Sequence, residues 1–465
     1  MSQQNTPWHA FATPILGKSV RAAARILKHG GSALPGQVVE KVDPGFLART
    51  LGQLKYGVVL VSGTNGKTTT TRMVTAMLRD MGLKVFSNPT GSNFTRGVVS
   101  ALLNEVSVSG RLDADIAVLE LDEAYAVHFV QQVRPQFSLL LNVMRDQLDR
   151  FGEIDNTANL LAKVAQSTTG TVILNREDRR IAALADQVRP GVAVKYFGLD
   201  ASLRAIFPND DALHAESTGA AEAEADATRG SFAQPVTADV TDQEGHPERI
   251  PADVVLTRIG DHQGEFLIDG SNISVALQLE GIYNIFNAAA AAATVRAVMA
   301  HTELGRADNA SLAKAMGQVT PAFGRGEVID VNGVPVELLL VKNPMGFRMS
   351  LASFPPQGHE TMIAICDEYA DGRDMSWLWD VDFTSLRETG VAMVSGTRAW
   401  DMALRLEYDG VQVDTTDVEL EAAVERFVTS NPEVPKHMYC TYTAMLRARA
   451  QLAKMTEVPD AGVGR

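Results

Sequence analysis

An α/β fold is what this sequence predicts: a mostly parallel sheet covered by helices, followed by a smaller second α/β domain. Three observations carry the expectation. Short β-branched runs alternate with helical patterns from residue 56 to about 200. A glycine turn joins the first of those runs to a helix in "VVLVSGTNGKTTTTRMV", residues 58 to 74. The alternation then resumes after "VTPAFGRGE" and continues to about residue 455.

Taken in order, "YGVVLVSG", "ADIAVLEL", "FSLLLNV", "GTVILN" and "VAVKYFG" read as strands, with "TTTTRMVTAMLRDMG" and "NTANLLAKVAQ" as helices between them. Residues 201–250 break the pattern, with ten Asp or Glu against three Arg, and read as an acidic, solvated insertion. Alternating strand patterns return in "EFLIDGSNISVALQLEG" and lead into the alanine-rich helix of "GIYNIFNAAAAAATVRAVMA". Beyond the boundary, "VELLLVK", "ETMIAICD" and "VAMVSG" alternate with the helical "TRAWDMALRLEY" and "DVELEAAVERFVT". The expected division is an N-terminal helical segment over 1–55, a central domain over 56–318, a C-terminal domain over 319–455 and a tail over 456–465.

Composition narrows the function. The 465 residues are 45% hydrophobic, enough for two or three cored domains. A formal net charge of -14 argues against binding nucleic acid through phosphate neutralisation. The N-terminal "ILGKSVRAAARILKHGG" is a local exception. It reads as a basic amphipathic helix, Lys18, Arg21, Arg25 and Lys28 opposing an apolar side of Ile15, Leu16, Val20, Ala24 and Leu27. A packing helix with a solvated basic face is the first expectation, and peripheral contact with the inner face of a membrane the second. No apolar run approaches a bilayer span and no signal segment opens the chain, so a cytoplasmic protein is expected. Cys366 and Cys440, the two cysteines, are expected as buried hydrophobes.

A glycine turn between strand and helix converges backbone N–H groups and the positive helix end on an anion, and a lysine adds a full charge. Gly63, Thr64, Asn65, Gly66, Lys67, Thr68 and Thr69 are therefore the expected nucleotide-phosphate site. The turn departs from the eight-position phosphate-loop pattern at Val61, where the first glycine would stand. Thr68 and Glu120, at the end of a neighbouring strand, are the expected magnesium ligands, with Asp122 and Glu123 just beyond. Arg145, Asp146 and Asp149 close the next strand and are candidates for phosphate contact or loop ordering.

"GTNGKTTTT", "LEL" with Glu120, "NVMRDQLDRFGE", "GIYNIFNAAAAAA" and "GRGE" in this order resemble the middle domain of the Mur ligase superfamily. "LVKNPMGF", "DEYADGRDMSWLWDVDF" and "VSGTRAWDMALRLEYDGV" resemble the C-terminal domain of one branch, the ligase subunits of lipid II isoglutaminyl synthases. The resemblance implies ATP-dependent amidation of the D-glutamate α-carboxylate in the lipid II stem peptide through an acyl phosphate. Ammonia would come from a glutaminase partner, GatD. It further implies Lys67 on the outer phosphates, Asn284 and Asn287 on the nucleotide and Arg325 on phosphate. Lys342 and Asn343 would orient the substrate carboxylate or its acyl phosphate, and Asp371 or Asp374, with Asp380 behind them, would complete the partner's Cys-His pair. Two departures stand out. The four-cysteine zinc ribbon of many members is missing, so no zinc is expected, and Gln147 replaces a histidine that would bind a second magnesium. The alternatives are a Mur-type ligase adding an amino acid to a soluble precursor, which the short segment before the phosphate turn disfavours, and a non-catalytic ATP-binding scaffold.

Overall fold

The computed structural model describes residues 12–26, 34–88, 93–144, 154–207, 250–260, 263–278, 281–319, 325–368 and 371–458. Strands β1 (Val58–Ser62), β2 (Val85–Ser87), β3 (Ile116–Glu120), β4 (Phe137–Leu140), β5 (Thr171–Asn175), β6 (Ala193–Leu199), β7 (Val254–Gly260), β8 (Gln263–Ile268) and β9 (Ser271–Ala276) form one sheet. Their order is β2-β3-β1-β4-β5-β6-β7-β8-β9. β1 lies between β3 and β4 and is parallel to both. The chain crosses it in passing from β3 to β4, and loops at the carboxyl ends of such strands are where an α/β sheet takes its ligands.

β1 is a continuous apolar run because both sheet faces are covered. Val59 and Val61 enter one core, with the helices Lys67–Asp80 and Ile282–Met299. Val58 and Leu60 enter the opposite core, with the helices Thr95–Glu105, Glu123–Gln132 and Ile154–Ser167. The alanine run is fully used: Ala288 to Ala293 are all buried, so their small side chains let helix Ile282–Met299 lie close to helix Lys67–Asp80. β8 and β9 are an antiparallel hairpin closed by Asp269 (φ 52°) and Gly270 (φ 74°), an Asp-Gly pair suited to a two-residue turn.

The second sheet holds β10 (Arg325–Val331), β11 (Val334–Leu340), β12 (Glu360–Ala364), β13 (Val391–Ser395), β14 (Val413–Asp417) and β15 (Lys436–Cys440), in the order β10-β11-β15-β12-β13-β14. The β10–β11 pair is antiparallel, and the β11, β15, β12, β13 and β14 pairings are parallel. Cys366 and Cys440 are buried in its core, as their apolar surroundings in the sequence suggest.

Three features differ from the sequence-based expectation. β2 and the helices Thr95–Glu105 and Glu123–Gln132 are additional elements, so Glu123 opens a helix. The first helix, Thr13–Ile26, packs through another face: Thr13, Pro14 and Gly17 are buried while Ile15 and Leu16 are 50% and 38% exposed. The reason is Gly17, against which Leu103 packs so closely that a Cβ would lie 2.5 Å from its Cδ2. Of the acidic insertion, Ala201–Ile206 begins a 3-10 helix, and 208–249 lie outside the described residues. Among the described residues, no helix is long and apolar enough to cross a membrane.

Candidate nucleotide and ligase site

The phosphate loop is built from two glycines that adopt left-handed backbone, Gly63 (φ 131°) and Gly66 (φ 84°), with Thr64 and Asn65 between them. Neither glycine tolerates a side chain: a Cβ on Gly63 would meet the Asn142 amide nitrogen at 2.9 Å, and one on Gly66 would meet Asn287 Oδ1 at 2.7 Å. Asn142, at the end of β4, fixes the loop from the side. It accepts from the Asn65 N–H through Oδ1 (2.8 Å), donates Nδ2 to the Asn65 carbonyl (3.1 Å), and its own carbonyl accepts from the Thr64 N–H (3.0 Å).

Lys67 opens the following helix and is buried. Its Nζ donates to the carbonyls of Gly63 (2.7 Å) and Thr64 (3.2 Å) and pairs with Asp122 Oδ1 at 3.1 Å. The ammonium is thereby held over the mouth of the turn. Thr68 Oγ1 donates to Glu120 Oε1 at 2.8 Å. Glu120 is itself positioned by Asn88, whose amide exchanges two 2.9 Å hydrogen bonds with the Glu120 backbone. Thr68 and Glu120 thus offer a hydroxyl and one carboxylate side by side, the hard oxygen donors that suit magnesium shared with a nucleotide's phosphates. Thr69 turns inward, 2% exposed, and its hydroxyl has no hydrogen-bond partner among the described residues, so its side chain serves packing.

An open cleft runs from this loop to the second sheet. Asn284 and Asn287 line it from one side, with Tyr283 beside them. Lys342, Ser350 and Phe354 line the other. The sequence "KNP" folds as expected for a helix start: Asn343 is the N-cap of Pro344–Ser353, its Oδ1 accepting from Gly346 N–H at 2.7 Å, with proline in the first turn. Lys342 Nζ donates to the Thr64 carbonyl at 3.2 Å, and Asn343 Nδ2 donates to Asn65 Oδ1 at 3.0 Å. The two residues therefore meet the phosphate loop itself. Arg325 begins β10, with its side chain outside the described residues; Arg145, Asp146, Gln147 and Asp149 also lie outside them.

The three aspartates of the C-terminal loop have different surroundings. Asp371 is buried, accepting from the backbone N–H groups of Thr443 (2.7 Å) and Glu368 (3.2 Å), and burial pushes its carboxyl above the usual range. Asp374 is exposed, and hydrogen bonds from Ser376 hold its carboxyl below the usual range. Asp380 is exposed at the end of the 3-10 helix Ser376–Asp380. Sequence reasoning passed over Asn88 and Asn142; the only signal was an asparagine at the end of each strand.

Residues 61–295 match the Mur ligase middle domain, and residues 340–445 match the MurT ligase C-terminal domain. Two solved structures share the fold: MurF from Acinetobacter baumannii (TM-score 0.62, 17% identity, covering 91% of this chain and 80% of that one) and MurF ligase from Thermotoga maritima in complex with ADP (TM-score 0.61, 16% identity, 90% and 84%). Fold and site define an ATP-dependent ligase of the Mur class. The chain is 30% identical over 441 residues, 91% of its length and 92% of the relative's, to the lipid II isoglutaminyl synthase (glutamine-hydrolyzing) subunit MurT of Streptococcus pneumoniae. Identity to the subunit of the same name from Staphylococcus aureus is 28% over 419 residues, covering 86% and 87%. Within the Mur ligases, the chain belongs to the MurT family.

Proposed function

We propose that this chain is the synthetase subunit of a lipid II amidating enzyme, converting the D-glutamate α-carboxylate of the stem peptide to the amide with ATP, magnesium and ammonia. The observation that carries the reading is kinship over nearly the whole chain with subunits named for that activity. The site supports the chemistry. A carboxylate oxygen attacks the γ-phosphorus of ATP, the bond to ADP breaks, and an acyl phosphate forms. Ammonia then attacks the acyl carbon, the carbon–oxygen bond to phosphate breaks, a proton is lost, and amide and phosphate leave.

Phosphoryl transfer asks the protein for positioning and charge more than for covalent chemistry. Lys67, held between Asp122 and the loop carbonyls, supplies the cation for the transferring group. Thr68 and Glu120 would hold magnesium, which neutralises phosphate charge when bound. Asn284 and Asn287 border the cleft where the nucleoside would lie, Lys342 stands at the substrate side, and Arg325 is assigned to phosphate from the start of β10.

Ammonia must come from elsewhere. Both cysteines are buried, and burial pushes both thiols up, so the chain presents no thiolate for glutamine hydrolysis. A glutaminase partner, GatD, supplies it, and Asp374 is the carboxylate best suited to orient that partner's histidine, because it is exposed and ionised where Asp371 is buried. Asp374→Asn should abolish glutamine-supported amidation and spare ammonium-supported amidation; equal loss of both would remove Asp374 from that role. The enzyme works in the cytoplasm at the inner membrane face, where exposed Ile15 and Leu16 meet the bilayer. Leu16→Asp should reduce co-sedimentation with anionic vesicles, and unchanged sedimentation would refute that contact.

The acyl phosphate has a direct test. Lipid II carrying a heavy-oxygen label in the D-glutamate α-carboxylate should pass one labelled oxygen into the released phosphate. Amide formation with unlabelled phosphate would contradict the mechanism.

A further inference from the structure

We propose that Asn343 is a positioning residue that acts through Asn65, so that seating of the C-terminal domain sets the shape of the phosphate loop. The proposal rests on the reading of residues 63–68 as a nucleotide site. Asn65 and Asn343 exchange two hydrogen bonds, Asn343 Nδ2 to Asn65 Oδ1 at 3.0 Å and Asn65 Nδ2 to Asn343 Oδ1 at 3.4 Å. Asn343 is 1% exposed, so this amide pair is shielded from water. Beside it, Lys342 Nζ donates to the Thr64 carbonyl, the same oxygen that accepts from Lys67.

The backbone of Asn65 cannot take up strain quietly. Its N–H and carbonyl are both engaged by Asn142, and glycines with left-handed backbone lie on either side of the Thr64–Asn65 pair. The loop is therefore clamped on one side by β4 and on the other by a helix start of the second sheet. Asn343 is the residue that joins those constraints, since Oδ1 also caps its own helix through Gly346. Removing the amide pair frees the Asn65 side chain and uncouples the C-terminal domain from the loop, while Asn142 still holds the backbone.

The two jobs of Asn343 can be separated. Asn343→Ser keeps an N-cap acceptor but is too short to reach Asn65, and Asn343→Asp keeps the cap but replaces the Nδ2 donor with an oxygen facing Asn65 Oδ1. Asn65→Ala deletes the partner and leaves the cap intact. Binding of magnesium-ADP is measured by calorimetry, and the compactness of the full chain by small-angle scattering with and without that nucleotide. Asn65→Ala and Asn343→Ser should each weaken binding roughly fivefold to tenfold and expand the nucleotide-bound particle, the size expected for one shielded hydrogen-bonded pair. The double variant should be no weaker than the worse single, and Asn343→Asp should weaken binding at least as much as Asn343→Ser. Effects that multiply in the double variant, or single variants with parental affinity and scattering, would overturn the coupling. If the parent itself binds no nucleotide, the site assignment fails first, and the coupling falls with it.

Discussion

Gly66→Ala is the substitution whose cost can be worked most directly. Gly66 sits at φ 84°, and a Cβ there would lie 2.7 Å from Asn287 Oδ1. Holding an L-residue in the left-handed region costs roughly 1–2 kcal/mol. Relieving the contact requires Asn287 to leave its preferred rotamer, at about 0.5–1.5 kcal/mol. The sum, about 1.5–3.5 kcal/mol, corresponds to a fall in Tm of roughly 2–4 °C, since unfolding the 465 residues as one unit releases about 1 kcal/mol/K of entropy. Because Asn287 is the residue displaced, nucleotide protection should weaken as well. Differential scanning calorimetry with and without magnesium-ADP measures both effects. In an Asn287→Ala background the contact is gone, so Gly66→Ala should there cost only the backbone portion. An unchanged Tm, or an equal cost in both backgrounds, would refute the packing of Gly66 against Asn287.

Three further outcomes follow from the site. Lys67→Met should lower ATP-dependent turnover by on the order of 10²–10³ or more, since the cation over the loop is lost and Asp122 keeps only the Asn93 amide; steady-state phosphate release checks it. Glu120→Gln keeps an acceptor for Thr68 but loses the carboxylate charge, so the magnesium concentration for half-maximal rate should rise by about tenfold or more, read from a magnesium titration. Burial raises the Asp371 carboxyl in the folded protein above its ordinary value of 3.8, so the folded state binds its proton more tightly than the unfolded chain. That contribution to stability is complete below the unfolded value and is lost as pH rises through the folded one. Tm against pH should therefore fall less steeply across this window in Asp371→Asn than in the parent, and parallel curves would contradict the shift.

Much of this was legible along the chain because it is written in local pattern. The apolar run 58–62 signals a strand buried on both faces, and Val58, Val59, Leu60 and Val61 do divide between two cores. Gly63 and Gly66 mark the turn between strand and helix, and both take positive φ there. What stayed hidden depends on partners far apart in sequence. Asn142 grips Asn65 across 77 positions, and Asn88 orients Glu120 from a strand too short to announce itself. The N-terminal helix turned a different face inward because one glycine offered Leu103 a closer seat than any leucine could. The choice among Asp371, Asp374 and Asp380 was equally closed to spacing, since burial sets Asp371 apart from the exposed Asp374 and Asp380 and burial belongs to the fold.

The most direct test of the central claim is mass spectrometry of lipid II incubated with this protein, ATP and magnesium. Three nitrogen sources are compared: glutamine alone, glutamine with the proposed glutaminase partner, and ammonium chloride alone. Amidation predicts a product lighter by the difference between a hydroxyl and an amino group in the second and third reactions, dependent on ATP and abolished by Lys67→Met. No mass change in any reaction, from a protein that binds magnesium-ATP, would contradict it and turn attention to amino-acid addition to soluble precursors.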